Sequence, residues 1–282
     1  MSKIINLLLV VVALSAAGLL LYPTASDQYN QYLNARTIYR YNRTAEELPE
    51  EDHREMLQAA RAYNETLQGV EVRDAFTDAQ EREDAVYEGL LDVNGDGIMG
   101  VIEIPKIGVR LPIYHGTGSY GLERGVGHME GTSLPVGGEG AHCGLSGHRG
   151  LPSARLFTDL DQMERGDLFF INVLGELLVY QVDQVNVVLP HELEYMAAVE
   201  GEDLVTLVTC TPYGVNTHRL LVRGRRTALE DVTDLLGVGV TTLPAWRSAL
   251  ICALPVLILG LLLMLLIRPK KRFGIGRRAG RG

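Results

Sequence analysis

Residues 203–225 read DLVTLVTCTPYGVNTHRLLVRGR. Two runs rich in β-branched and aliphatic residues, DLVTLVTC and RLLVRGR, flank the stretch TPYGVNTH, in which Pro212 and Gly214 are turn formers. As neighbouring antiparallel strands joined by that loop, they bring Arg219 beside Cys210. Cys210 ends its strand at a loop, a place where a thiol is accessible, and a guanidinium nearby stabilises a thiolate or a developing oxyanion. Taken singly, a lone Cys is more often a small core hydrophobe and a strand-edge Arg a solvated charge. The chemistry rests on the pair.

Working outward, the segments VIEIPKI (101–107), LPIYHG (111–116), DLFFINV (167–173) and ELLVYQVDQVNVVLP (176–190) also read as strands. Many short strands with Gly and Pro between them predict a mainly β fold, a closed or nearly closed barrel, and the alternation in VYQVDQVNVV predicts a wall with one buried face. LPSARLFTDLDQM (151–163) reads as a helix interrupting the strands, with Leu156, Leu160 and Met163 on one face. Upstream, residues 26–91 have a helical rhythm. Pro49 stands near a helix start, Met56, Ala60, Tyr63 and Leu67 share a face, Gly69 ends that helix, and a second short helix is expected over 79–91. The intervening VEVRDAFTDAQ has no period and reads as a loop.

Of the seven histidines, His148 in HCGLSGHRG has the most loop-like presentation, flanked by Gly147 and Gly150 on an uncrowded backbone. It is the candidate acid and base. His218, beside Arg219, is a rival by sequence distance, but strand alternation points it to the opposite face.

The two ends place the chain at a membrane. Residues 4–21 (IINLLLVVVALSAAGLLL) and 248–267 (SALICALPVLILGLLLMLLI) are uncharged and each long enough to span a bilayer. Thr24-Ala25-Ser26 also suits a signal cleavage site, but the first stretch is longer than a usual signal core, which favours a retained anchor. The tail RPKKRFGIGRRAGRG carries seven basic residues and no acid, so it is expected in the cytoplasm, with Lys3 placing the N-terminus there too. Residues 23–247 would then lie outside. All 35 acidic residues fall in that stretch against 18 of the 26 basic ones, a net charge of −17 that argues against nucleic-acid binding.

Two further signals are weaker. DVNGDGIMGVIE (92–103) matches the EF-hand calcium pattern, yet Glu103 lies in a strand rather than a helix, so a Gly-rich turn is the better reading and no metal or other cofactor is expected. Cys143 reads as a small buried thiol, because a bond to Cys210 would silence the nucleophile.

Together TLVTC, the downstream Arg in NTHRLLVRG and the upstream SGHRG resemble the sortases. The resemblance runs through IMGVIEIPKIGVRLPIYHGT, AHCGLSGHRGLPSARLFTDLDQMERGDLFF and LVTLVTCTPYGVNTHRLLVRG, and is to the pilus-assembly subgroup, class C. It implies a sortase-type β-barrel with an N-terminal helical extension and two transmembrane helices. The divisions are an anchor at 1–22, an extension at 23–96, a catalytic barrel at 97–230, a linker at 231–247, a second span at 248–267 and a basic tail at 268–282. Carried over residue by residue, it makes Cys210 the nucleophile, His148 the acid and base, and Arg219 the oxyanion stabiliser. It also implies a lid at about 72–78, where Asp74 and Phe76 match an Asp-Pro-aromatic motif and Ala75 replaces the Pro, removing a φ restraint. Asp74 would pair with Arg219 and Phe76 would shield Cys210. The implied reaction cleaves an LPXTG-like sorting signal between Thr and Gly and joins it to an amine, in pilus-type members a pilin lysine. Rival readings are attachment to cell-wall precursor, simple peptide hydrolysis, and a non-catalytic membrane assembly scaffold.

Overall fold

The structure is a computed structural model that describes residues 2–67, 72, 74–76 and 84–228. The expected linker, second span and basic tail lie outside the described residues. Helix α1 (Ser2–Glu47) begins with the first apolar stretch and is long and apolar enough to cross a membrane. Its part up to Leu21 belongs to a unit of its own. The second unit begins at Tyr22.

In the second unit two anchors tie the helical extension to the β-structure. Tyr41 of α1 is fully buried; its hydroxyl donates to Met99 O (3.0 Å) and accepts from Leu174 N–H (3.0 Å). Helix α2 (Glu50–Thr66) starts after Pro49, with Glu50, Glu51 and Asp52 in its first turn where the helix dipole favours acids, and buries Leu57 and Ala60. Helix α3 (Ala85–Gly89) is capped by Asp84, which accepts from Val86 N–H and Tyr87 N–H. Its Tyr87 is the second anchor: Gly116 N–H donates to the phenol oxygen (2.8 Å), which donates to His128 Nδ1 (2.8 Å), while His128 Nε2 donates to Ser133 O (2.9 Å). Each buried polar atom in that chain has a partner, as burial requires.

Eight strands form the barrel: β1 (Ile98–Ile104), β2 (Val109–Tyr114), β3 (Val126–His128), β4 (Ala141–Ser146), β5 (Leu168–Val173), β6 (Glu176–Val188), β7 (Asp203–Thr211) and β8 (His218–Arg226). Around the closed barrel they run β1-β2-β3-β4-β7-β8-β6-β5, parallel between β2 and β3 and between β4 and β7, antiparallel elsewhere. Ile102, Ile113, Leu145, Phe169, Tyr180, Val205, Leu207 and Val222 fill the interior. Gly224 is required there: a Cβ would lie 2.5 Å from the Phe169 ring, which stacks on Tyr180.

Several expectations need correction. Residues 151–163 form turns and one 3-10 turn (Leu160–Gln162), not a helix, because Leu156 adopts a left-handed φ of 42° that breaks the helical path. Leu156, Leu160 and Met163 are nevertheless all buried. The short helix expected over 79–91 covers only Ala85–Gly89 among the described residues. Strands β3 and β4 were not anticipated, since AHCGLS carries polar and Gly residues and is buried on both faces. The alternation in β6 lasts only to the register shift between Val182 and Gln184, beyond which Val185 and Val187 face solvent.

Candidate active site

Cys210 and Arg219 stand directly opposite one another in the antiparallel β7–β8 ladder. Thr211, Pro212 and the turn through Asn216 connect them. The Arg219 side chain, 5% exposed, is gripped by Asp74 through two bonds, Nε to Oδ1 at 2.6 Å and Nη2 to Oδ2 at 2.7 Å. This fork geometry fixes the guanidinium as well as neutralising it. Nη1 also donates to the carbonyls of Asn216 and His218.

Phe76 gathers the remaining groups. Its ring centroid lies 5.5 Å from that of His148, and the Arg219 Cζ stands 5.1 Å from the same ring. Phe76 N–H donates to Asp74 Oδ2, closing a tight turn over Ala75. Ala75 itself is buried in an apolar groove with Met129, Val188, Met196, Val208 and Leu221.

His148 follows β4, and its approach is pinned to β7. Gly147 N–H donates to Val208 O (3.0 Å), Gly147 O accepts from Thr209 Oγ1 (2.7 Å), and His148 O accepts from Phe157 N–H. The backbone here is crowded rather than open, since a Cβ on Gly147 would lie 2.7 Å from the Phe157 ring. One residue on, Arg149 donates from Nη1 to Thr211 Oγ1 (3.2 Å) and pairs with Asp161. Sequence reasoning passed over this cross-link; the only signal was the Arg next to His148.

Burial sets the protonation states in this closed arrangement. It pushes the Cys210 thiol up; Arg219 opposes that and Asp74 adds to it. It pushes His148 down, against Glu123. Both groups are therefore held neutral around pH 7.

The other candidates lie elsewhere. His218 is paired with Thr211 in the ladder and contacts Thr217. Cys143 is buried and free, with its thiol pushed well up by burial. In the EF-hand-like segment the Asp92 carboxylate accepts from the N–H groups of Asn94, Asp96 and Gly97, while Glu103 pairs with Arg110 at 2.5 Å. Among the described residues no cluster of three His, Cys, Asp or Glu is placed to hold a metal ion.

Residues 102–227 match the model of the sortase domain. The chain is 44% identical to sortase C-1 of Actinomyces oris, covering 64% of this chain and 99% of that one with a TM-score of 0.61. The chain belongs to the sortase family. The barrel order and N-terminal helix are those of a sortase fold. Sortase C1 of Streptococcus agalactiae is 46% identical (68% of this chain, 98% of that one, TM-score 0.63). Sortase C of Streptococcus pneumoniae, a protein studied for its pilin substrate specificity, is 40% identical (68% and 97%, TM-score 0.64). The likeness to class C sortases seen in the sequence thus extends to their solved structures. Among curated relatives, Bacillus subtilis sortase D is 29% identical over 130 residues and Streptococcus agalactiae sortase A 30% over 128. Those matches span 63% and 51% of the two relatives and 45% and 44% of this chain.

Proposed function

We propose that this protein is a membrane-anchored cysteine transpeptidase that joins pilin subunits outside the cell. The carrying observation is Cys210 directly facing Arg219 across one ladder, with the Phe76 ring bridging Arg219 and His148. In this reading the Cys210 thiol passes its proton to His148 as substrate opens the site, the thiolate so formed attacks the Thr carbonyl of an LPXTG-like signal, and Arg219, once released by Asp74, stabilises the oxyanion. The Thr–Gly bond then breaks as His148 gives its proton to the leaving Gly amine. The resulting thioester is attacked by an amine, here a pilin lysine, which returns a proton to His148 and expels the thiolate. Arg suits the charge role because it remains protonated throughout.

The same reading makes residues about 72–78 a lid, 97–230 the catalytic barrel, and 23–96 and 231–247 its flanking segments outside the membrane. The helix able to cross a bilayer supports anchoring at the N-terminus, and 248–267 would be a second span. Full-length protein in detergent, mixed with an LPETG peptide, should gain the mass of the acyl fragment, and Cys210→Ala should not. An Ala variant that retains full turnover ends the assignment. Transfer to a pilin lysine rather than to a cell-wall precursor amine is read from the product masses when both acceptors compete.

A further inference from the structure

Strand β4 divides its side chains between two environments. Cys143 and Leu145 enter the main core, so His142, Gly144 and Ser146 face the other way. That way leads to the groove filled by Ala75. A Cβ on Gly144 would lie 2.6 Å from Met196 Cε and 3.1 Å from Met129 Sδ, and Ser146 stands in register with Val208; all three partners line the groove. Ser146 is fully buried, and among the described residues its Oγ has no hydrogen-bond partner. The neighbouring hydroxyls are satisfied: Thr206 Oγ1 bonds His142 Nε2 (2.8 Å) and Thr209 Oγ1 donates to Gly147 O (2.7 Å). A buried hydroxyl left alone is unfavourable, and such an atom calls for a reason.

We infer that Ser146 is a substrate-binding residue whose hydroxyl donates to a main-chain carbonyl of the extended peptide that replaces Ala75 in the groove. The inference rests on the transpeptidase reading above. The Ser146–Val208 row lies two residues along β7 from Cys210, about 7 Å at strand spacing. That distance places the accepted carbonyl one or two residues from the scissile one. Among the described residues of that segment (72 and 74–76) none supplies this bond, so substrate gains a contact that they lack.

The test compares Ser146 with Ser146→Ala in full-length protein, in the wild-type background and with Asp74→Ala, which frees Arg219. Acyl-enzyme formation with an LPETG peptide, KM, kcat and thermal midpoint are measured. The expected result is a KM raised about 3- to 30-fold in both backgrounds, kcat changed by less than about 3-fold, and an unlowered thermal midpoint. Three results overturn the inference: an unchanged KM, a clearly lowered midpoint that reveals a structural partner for the hydroxyl, or a KM effect that disappears with Asp74→Ala. Failure of the transpeptidase reading looks different, because then neither parent protein forms the acyl-enzyme at all.

Discussion

Arg149, the residue after His148, donates to the hydroxyl of Thr211, the residue after Cys210. The two candidate reacting groups are thus clamped through their chain neighbours by a side chain only 8% exposed and braced by Asp161. Arg149→Ala should therefore lower kcat of thioester formation about 10- to 100-fold with little change in KM, since misplacement by an ångström is costly to a proton transfer. Steady-state kinetics on peptide cleavage check this, and an equal loss in KM would instead indicate a damaged groove.

Releasing the Asp74–Arg219 pair should sensitise the thiol. Burial and Asp74 both hold the Cys210 pKa up while Arg219 pulls it down, so Asp74→Ala removes one raising influence and, by admitting water, weakens the other. Iodoacetamide alkylation of Cys210 should accelerate at least about 10-fold at pH 7, and its pH midpoint should move to lower pH. Breaking a buried ion pair ordinarily costs about 3–5 kcal/mol, but the freed guanidinium becomes hydrated here, so the loss on thermal melting should be smaller.

The β6–β7 connection hangs on His142. Its Nδ1 donates to Ala197 O (2.9 Å) while Nε2 accepts from Thr206, and the adjoining Met196 seats over Gly144. Asn places a donor where Nδ1 stands and Gln does not. His142→Asn should keep residues 189–202 resistant to limited proteolysis, whereas His142→Gln should expose them and raise KM for peptide. Equal behaviour of the two variants would remove the Ala197 bond as the cause.

His128 makes stability fall in acid. Burial lowers its pKa to about 4 against an ordinary 6.5. The unfolded chain therefore takes up the proton first as pH drops, and stability is lost between about pH 6.5 and pH 4, by about 3 kcal/mol in all. Denaturant unfolding across that range should show the slope, and His128→Gln should flatten it.

Tyr41→Phe should destabilise the protein by about 1–3 kcal/mol, because it strands Met99 O and Leu174 N–H in the interior. Chemical denaturation measures this directly.

Much of the barrel was readable because β7 and β8 are long, β-branched runs separated by a turn, and their antiparallel register alone opposes Cys210 to Arg219. What escaped was carried by long-range contacts. β4 hides in AHCGLS, whose Gly144 exists for Met196 rather than for any local pattern. The helix expected at 151–163 had the right apolar spacing, but Leu156 takes a φ that spacing does not reveal. Arg149 and Ser146 carry no period at all: the meaning of the first depends on Thr211, and of the second on a hydroxyl without a partner among the described residues. Phe76 and Asp74 were legible only by resemblance, since VRDAFTD by itself says no more than loop.

The fork between Asp74 and Arg219 makes occupancy of one guanidinium mutually exclusive. On the proposed function, no incoming acyl group would find its cation while the carboxylate holds it, so the apparent Kd would be the intrinsic one divided by the open fraction. A freely diffusing peptide at low dose would thereby be ignored. A protein substrate tethered in the same bilayer would meet the site at a far higher effective concentration and cross that threshold. Self-competition of this kind would filter by delivery route as well as by motif.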